Sequence, residues 1–103
     1  MRPKFQRVIR KIHSMMERGD LNHDEFHLLF EVAMYISYNK WKPSRLPDVT
    51  VTGWIPESRF YKVEKSLVLM GALMITDCSN GWNVYQLGSA FDPALPENQY
   101  DDL

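Results

Sequence analysis

The sequence predicts a small, mainly helical α+β domain in which three helices are followed by one β-hairpin. Two stretches place apolar residues at the three- and four-residue spacing of amphipathic helices, and a third stretch between them is apolar on all sides. Near the carboxyl end, an Asn-Gly pair separates two runs rich in β-forming residues, which is the strongest short signal for a hairpin. A chain of 103 residues is long enough for one hydrophobic core, so we expect a single domain.

The first predicted helix covers residues 3–17, with Pro3 suited to its first turn. Its apolar stripe contains Phe5, Val8 and Ile12, which we expect to face the core or a second copy of the chain, as a homodimer interface. The opposite face is basic and admits two interpretations, an arm that contacts phosphates or an ordinary solvated surface. Its members are Lys4, Arg7, Arg10, Lys11 and Arg18.

The second helix has a well-marked beginning. Asn22 and Glu25 have the spacing of a capping box, and Leu21 with Phe26 has that of a hydrophobic staple. From there to Tyr38, apolar residues occur around the whole helix. This pattern predicts the central, buried element on which the others pack.

Residues 39–55 are mixed in character. Pro43 and Pro47 forbid a long helix, and the β-branched residues after Asp48 favour an extended piece. We therefore expect a loop, a short helical turn and a short strand.

The third helix is predicted over residues 56–71, with Pro56 at its first position and Gly71 as its stop. Its side chains divide into two faces. The inward face is predicted to contain Phe60, Val63, Leu67 and Met70. The outward face is predicted to contain Glu57, Ser58, Tyr61, Lys62 and Lys65.

The hairpin is predicted from residues 73–78 and 82–87, which flank Asn80-Gly81. Residues 1–91 form the predicted domain. Residues 92–103 contain Pro93 and Pro96 and four acids, which favours a loose acidic tail.

The formal net charge of −1 conceals an uneven distribution. All four charged residues of the tail are acidic, so the remainder has nine acidic residues against twelve basic ones. This mildly basic body is compatible with nucleic-acid binding and equally with an ordinary surface. No apolar run approaches the length of a membrane span and the start does not resemble a signal peptide, so a cytoplasmic protein is expected.

Catalytic and metal-binding patterns are weak. Cys78 is the only cysteine, which excludes an internal disulfide and favours a reduced structural thiol. His23 and His27 have the spacing of metal ligands on one helix face, but Asp24 stands where a zinc hydrolase needs Glu, and no third ligand follows. We expect no enzyme, no metal and no cofactor.

Residues 55–73 read IPESRFYKVEKSLVLMGAL. This passage resembles the recognition helix and first wing strand of the winged helix-turn-helix superfamily, and the likeness extends over residues 21–87. It is similar to small phage and plasmid replication initiators and repressors. The resemblance implies a protein that binds double-stranded DNA and regulates transcription or takes part in replication, with the third helix in a major groove.

The implied DNA contacts fall into two groups. On the third helix, Lys62 or Lys65 would donate to guanine, Ser58 to a base edge or a phosphate, and Tyr61 to a phosphate. Candidates for backbone contacts, with plain solubility as their alternative role, are Arg59, Lys40, Lys42 and Arg45.

The predicted wing departs from a DNA-gripping one because residues 79–82 include no Lys or Arg. A winged helix that binds another protein, as an adaptor or inhibitor, is therefore the alternative. Trp82 would then be an aromatic anchor, although a tryptophan in such a position also serves to cap a core.

Overall fold

The computed structural model describes residues 3–46, 55–79 and 82–91. Over these residues the chain is a small α+β domain, as predicted. Three helices precede a two-stranded antiparallel sheet: α1 (Pro3–Glu17), α2 (His23–Tyr38), α3 (Glu57–Leu69), β1 (Leu73–Ser79) and β2 (Trp82–Leu87).

Helix α1 packs its apolar stripe against α2. Ile12 is fully buried and Val8 is 9% exposed, while Phe5 is half-buried. Val8 and Ile12 belong to the core of their own chain, so neither is available for the homodimer interface predicted on this stripe. Beyond the helix, Gly19 has a φ of +82°, and the Asp20 N–H donates to the Met15 carbonyl at 2.9 Å, which closes the last turn.

Helix α2 is the central element, as its sequence predicted. The Asn22 side chain accepts from the Glu25 N–H and the Glu25 carboxylate accepts from the Asn22 N–H, both at 2.8 Å, which confirms the capping box. Leu29, Val32 and Ile36 have no exposed surface. The helix contacts α1, α3 and β2, so it fixes the positions of all three.

Helix α3 begins one residue later than predicted. Pro56 has a ψ of 138°, which is extended backbone, so it is the N-cap residue and Glu57 is the first helical residue. The predicted stop is confirmed. Gly71 has a φ of +79°, its N–H donates to the Val68 carbonyl at 3.1 Å, and the Ala72 N–H donates to the Leu67 carbonyl at 3.0 Å. This pair of bonds is a Schellman motif, which needs a left-handed residue where glycine stands.

The hairpin has the predicted strands, and its register pairs Leu73 with Leu87 and Ser79 with Trp82. The register shifts between Ile75 and Asp77, which makes a bulge. On the other edge of β2, Ser44 and Tyr85 exchange backbone hydrogen bonds of 2.8 and 2.9 Å, so β2 is paired on both sides at that point.

Several expectations lie outside the described residues. They are the Asn80-Gly81 turn, the helical turn and extended piece of residues 47–54, and the loose tail of residues 92–103. In the part of the chain that is described, no helix has both the length and the apolar character needed to cross a bilayer.

Candidate nucleic-acid interface

The outward face of α3 presents four of the predicted contact residues together. Ser58, Tyr61, Lys62 and Lys65 are all exposed, and Tyr61 retains 72% of its surface. The opposite face buries Val63 and Leu67, with Phe60 and Met70 packed against the same core. The division into two faces predicted from the sequence is therefore confirmed.

Arg59 is exposed as well, but it is paired with α2. Its Nε donates to Oδ2 of Asp24 at 2.8 Å, and a second guanidinium nitrogen lies 3.4 Å from Oδ1. An exposed ion pair of this kind contributes at most about 1 kcal/mol, so its main effect is geometric. Arg59 therefore ties the first turn of α3 to the first turn of α2.

A second link joins the far part of α3 to the same end of α2. The Ser66 hydroxyl donates to one carboxylate oxygen of Glu25, whose other oxygen accepts from the Asn22 N–H in the capping box. Glu25 is only 8% exposed. One buried carboxylate thus begins α2 and holds α3, because each of its oxygens has a different donor.

A third link joins α3 to the hairpin. Oε2 of Glu64 accepts from the Tyr85 hydroxyl at 2.5 Å and from the Asn83 amide at 2.9 Å. Glu64 and Tyr85 are each 5% exposed. These hydrogen bonds fix the angle between α3 and β2.

Glu64 is not among the residues predicted from the sequence to have a role. The signal was present, because Glu64 lies between Val63 and Leu67 on the inward stripe, where a charged side chain requires a buried partner. The helix pattern does not identify that partner. It is Tyr85 of the hairpin, which is 21 residues away in the sequence.

The Tyr85 phenol is expected to make the free energy of unfolding depend on pH in the alkaline range. Burial, then the hydrogen bond to Glu64 and its negative charge, raise the pKa of Tyr85 well above its ordinary value of 10. A raised folded-state pKa means that this stabilisation is complete below about pH 10 and is lost as pH rises through the folded pKa. The free energy of unfolding should therefore fall above pH 10 by up to about 1.4 kcal/mol per pH unit from this group.

Urea unfolding of the parent and of Tyr85→Phe between pH 8 and pH 11 measures this contribution. The difference between the two proteins isolates the contribution of Tyr85, because every other residue is common to both. Parallel curves for the two proteins would contradict the expectation.

The remaining basic candidates lie on other elements. Lys40, Lys42 and Arg45 are exposed in the loop after α2, which runs along the edge of β2 through the Ser44 bridge. Lys40 has a φ of +58°, an unusual conformation for a residue with a side chain. The predicted site is thus divided between a helix face and a loop.

The remaining sequence candidates are the histidine pair, Cys78 and Trp82. The described residues include no group of three His, Cys, Asp or Glu side chains arranged to hold a metal ion. Cys78 is exposed with a free thiol, so it is not the structural cysteine that was expected. Trp82 begins β2, and its side chain lies outside the described part of the structure.

Comparison with known proteins assigns the chain to no family. No family model matches it, and no curated protein and no solved structure shows significant similarity to it.

Proposed function

We propose that this chain is a winged-helix protein that binds double-stranded DNA through the outward face of α3. The observation that carries the proposal is the exposure of Ser58, Tyr61, Lys62 and Lys65 on one face of a helix whose other face is in the core. We infer further that it acts as a regulator of transcription or as a replication factor of a phage or plasmid.

The chemistry of the face suits a major groove. Lysine ammonium groups donate to guanine O6 and N7 or to phosphates, and hydroxyl groups donate to either. Lys62 and Lys65 are three residues apart, so they project from the same side of α3. The order of helices followed by a hairpin agrees with a winged helix, and α3 leads directly into β1.

The contacts that join α3 to α2 and to the hairpin also support the proposal. Contacts from Arg59, Ser66 and Glu64 attach the beginning, the end and the middle of α3 to the rest of the domain. A helix held in this way presents its outward face at a fixed position and angle, so the helix itself does not have to become ordered when the face binds.

Changing Lys62 and Lys65 together to Ala is expected to weaken binding to duplex DNA. Each lysine that neutralises a phosphate adds about one unit to the dependence of log K on log salt, so the variant should lose about two units of slope. Fluorescence anisotropy with a labelled random duplex, over a salt series, measures both the affinity and the slope.

The matched control changes Arg10 and Arg18 together to Ala, because both are exposed on or just after α1 and the loss of charge is identical. Retained binding in the control and loss in the α3 variant would locate the interface. Equal weakening in both variants would show a diffuse charge effect and contradict the proposed face. Absence of DNA binding by the parent at low salt would remove the function altogether.

A protein-binding winged helix is the second candidate, and exposed apolar side chains favour it. Leu69 at the end of α3 is 77% exposed, and on β1 Met74 and Ile75 are 46% and 40% exposed. Helix α3 packs against β1, so these residues lie on neighbouring elements. Binding through such residues would persist at high salt, whereas binding through phosphates would not.

A further inference from the structure

A groove of about 470 Å³ lies between α1 and the hairpin, and α3 contributes no residue to its lining. One wall is basic and comes from successive turns of α1, with Lys4, Arg7 and Lys11. The other wall is largely apolar and includes Met74, Leu87 and Phe91. A groove with these two walls suits an extended segment that has both acidic and apolar side chains.

Two of the three cations of the basic wall lie over aromatic rings. The Lys4 ammonium lies 4.5 Å from the centre of the Trp41 ring, and the Lys11 ammonium lies 5.7 Å from the centre of the Phe91 ring. Cation–π attraction restrains both long side chains at the groove. Trp41 is itself fixed there, because its carbonyl accepts from the Gln86 amide at 2.9 Å.

The chain supplies a segment with the required chemistry at the groove itself. Phe91 lines the groove and is the last described residue, so residues 92–103 continue from its edge. This segment has no Lys or Arg. Its acidic and larger apolar residues are Asp92, Leu95, Glu97, Tyr100, Asp101, Asp102 and Leu103.

Residues 92–103 are covalently attached to Phe91, so a weak contact is sufficient to hold them in the groove. A segment of this length, fully extended, reaches about 40 Å, so its acidic end is long enough to pass along α1. Because the segment is covalently attached beside the groove, its effective concentration there is on the order of millimolar. At that concentration, a small favourable free energy from the attraction between its carboxylates and the three cations is enough for the segment to occupy the groove.

We propose that residues 92–103 dock in the groove between α1 and the hairpin, with their carboxylates against Lys4, Arg7 and Lys11 and with apolar side chains against the opposite wall. The docked segment covers the basic wall of α1. It therefore removes these three cations from contact with an external anion.

Paramagnetic relaxation in the full chain tests the docking. Cys78 is exposed and would take the probe, so the parent for this experiment is Cys78→Ser with a spin label on Gln99→Cys. We expect strong broadening of the amide signals of α1 around Val8 and weak broadening around Lys62. Salt at 1 M should reduce the broadening on α1, because the attraction is partly electrostatic.

The matched control is the same labelled chain with Glu97→Gln, Asp101→Asn and Asp102→Asn, which has the same tether and fewer charges. Docking predicts a clear loss of broadening on α1 in this control. The Lys4→Glu, Lys11→Glu variant should show the same loss, and adding Asp101→Lys with Asp102→Lys should restore the broadening. Circular dichroism confirms that each variant is folded.

Three results would overturn the proposal. Equal broadening in the charged and neutral tails would mean that the segment merely diffuses near Phe91. Failure of the charge exchange to restore the effect would show that the basic wall is not the partner. In a mixing experiment, spin-labelled chains without isotopes are combined with isotope-labelled chains that have no spin label. Broadening of the α1 signals in this mixture would mean that the groove binds the segment of a second copy. None of these outcomes depends on whether the protein binds DNA.

Discussion

Replacing Ile12 with Asp is expected to leave the chain largely unfolded. Ile12 has no exposed surface and lies on the face of α1 that packs against α2. Removing an isoleucine of this kind costs about 2–5 kcal/mol through lost apolar contact and the cavity that remains, and a buried carboxylate with no partner adds a further penalty. Domains of this size have only about 5–15 kcal/mol of stability, so most of it would be lost.

Thermal unfolding followed by circular dichroism, together with light scattering, checks this result. Gln6→Asp is the matched control, because Gln6 is exposed on the same helix and the change of charge is identical. We expect the control to stay within about 0.5 kcal/mol of the parent. An Ile12→Asp protein with normal melting and half the parent mass would instead show that the stripe is an interface between two copies.

The apolar stripe of α1 and the ends of the other helices show which structural features a sequence pattern can distinguish. The spacing of Phe5, Val8 and Ile12 predicts an apolar face correctly, but a core and a dimer interface require the same spacing. Local signals are more specific. The Asn22 and Glu25 pair and the position of Gly71 predicted a helix start and a helix end, because the hydrogen bonds involved join residues only a few positions apart.

Contacts between distant residues were the part that the sequence could not supply. Arg59 was predicted as a phosphate contact because it is a cation on the third helix, and its pairing with Asp24 depends on how α2 and α3 cross. The groove was missed for the same reason. Lys4, Arg7 and Lys11 were recognised as a basic face, but Met74, Leu87 and Phe91 reach them only through the packing of the hairpin.

Changing Glu64 to Ala is expected to cost the domain several kilocalories per mole and to loosen α3 from the hairpin. The substitution leaves the Tyr85 hydroxyl and the Asn83 amide without the carboxylate that accepts from both. A buried polar group without a partner costs about 1–3 kcal/mol, and Tyr85 is almost completely enclosed. Urea unfolding would measure the loss, with Glu57→Ala as the control because Glu57 is an exposed acid on the same helix.

A double-mutant cycle separates the hydrogen bond from the rest of the Glu64 side chain. Glu64→Ala in a Tyr85→Phe background no longer strands the hydroxyl, so its cost should be smaller than in the parent, with a coupling of about 0.5–3 kcal/mol. Additive effects would contradict the network. If coupling is found, the DNA affinity of Glu64→Ala, measured well below its melting temperature, becomes informative. A fall in affinity there would mean that the angle between α3 and β2 matters for binding, since Glu64 itself is buried behind the outward face.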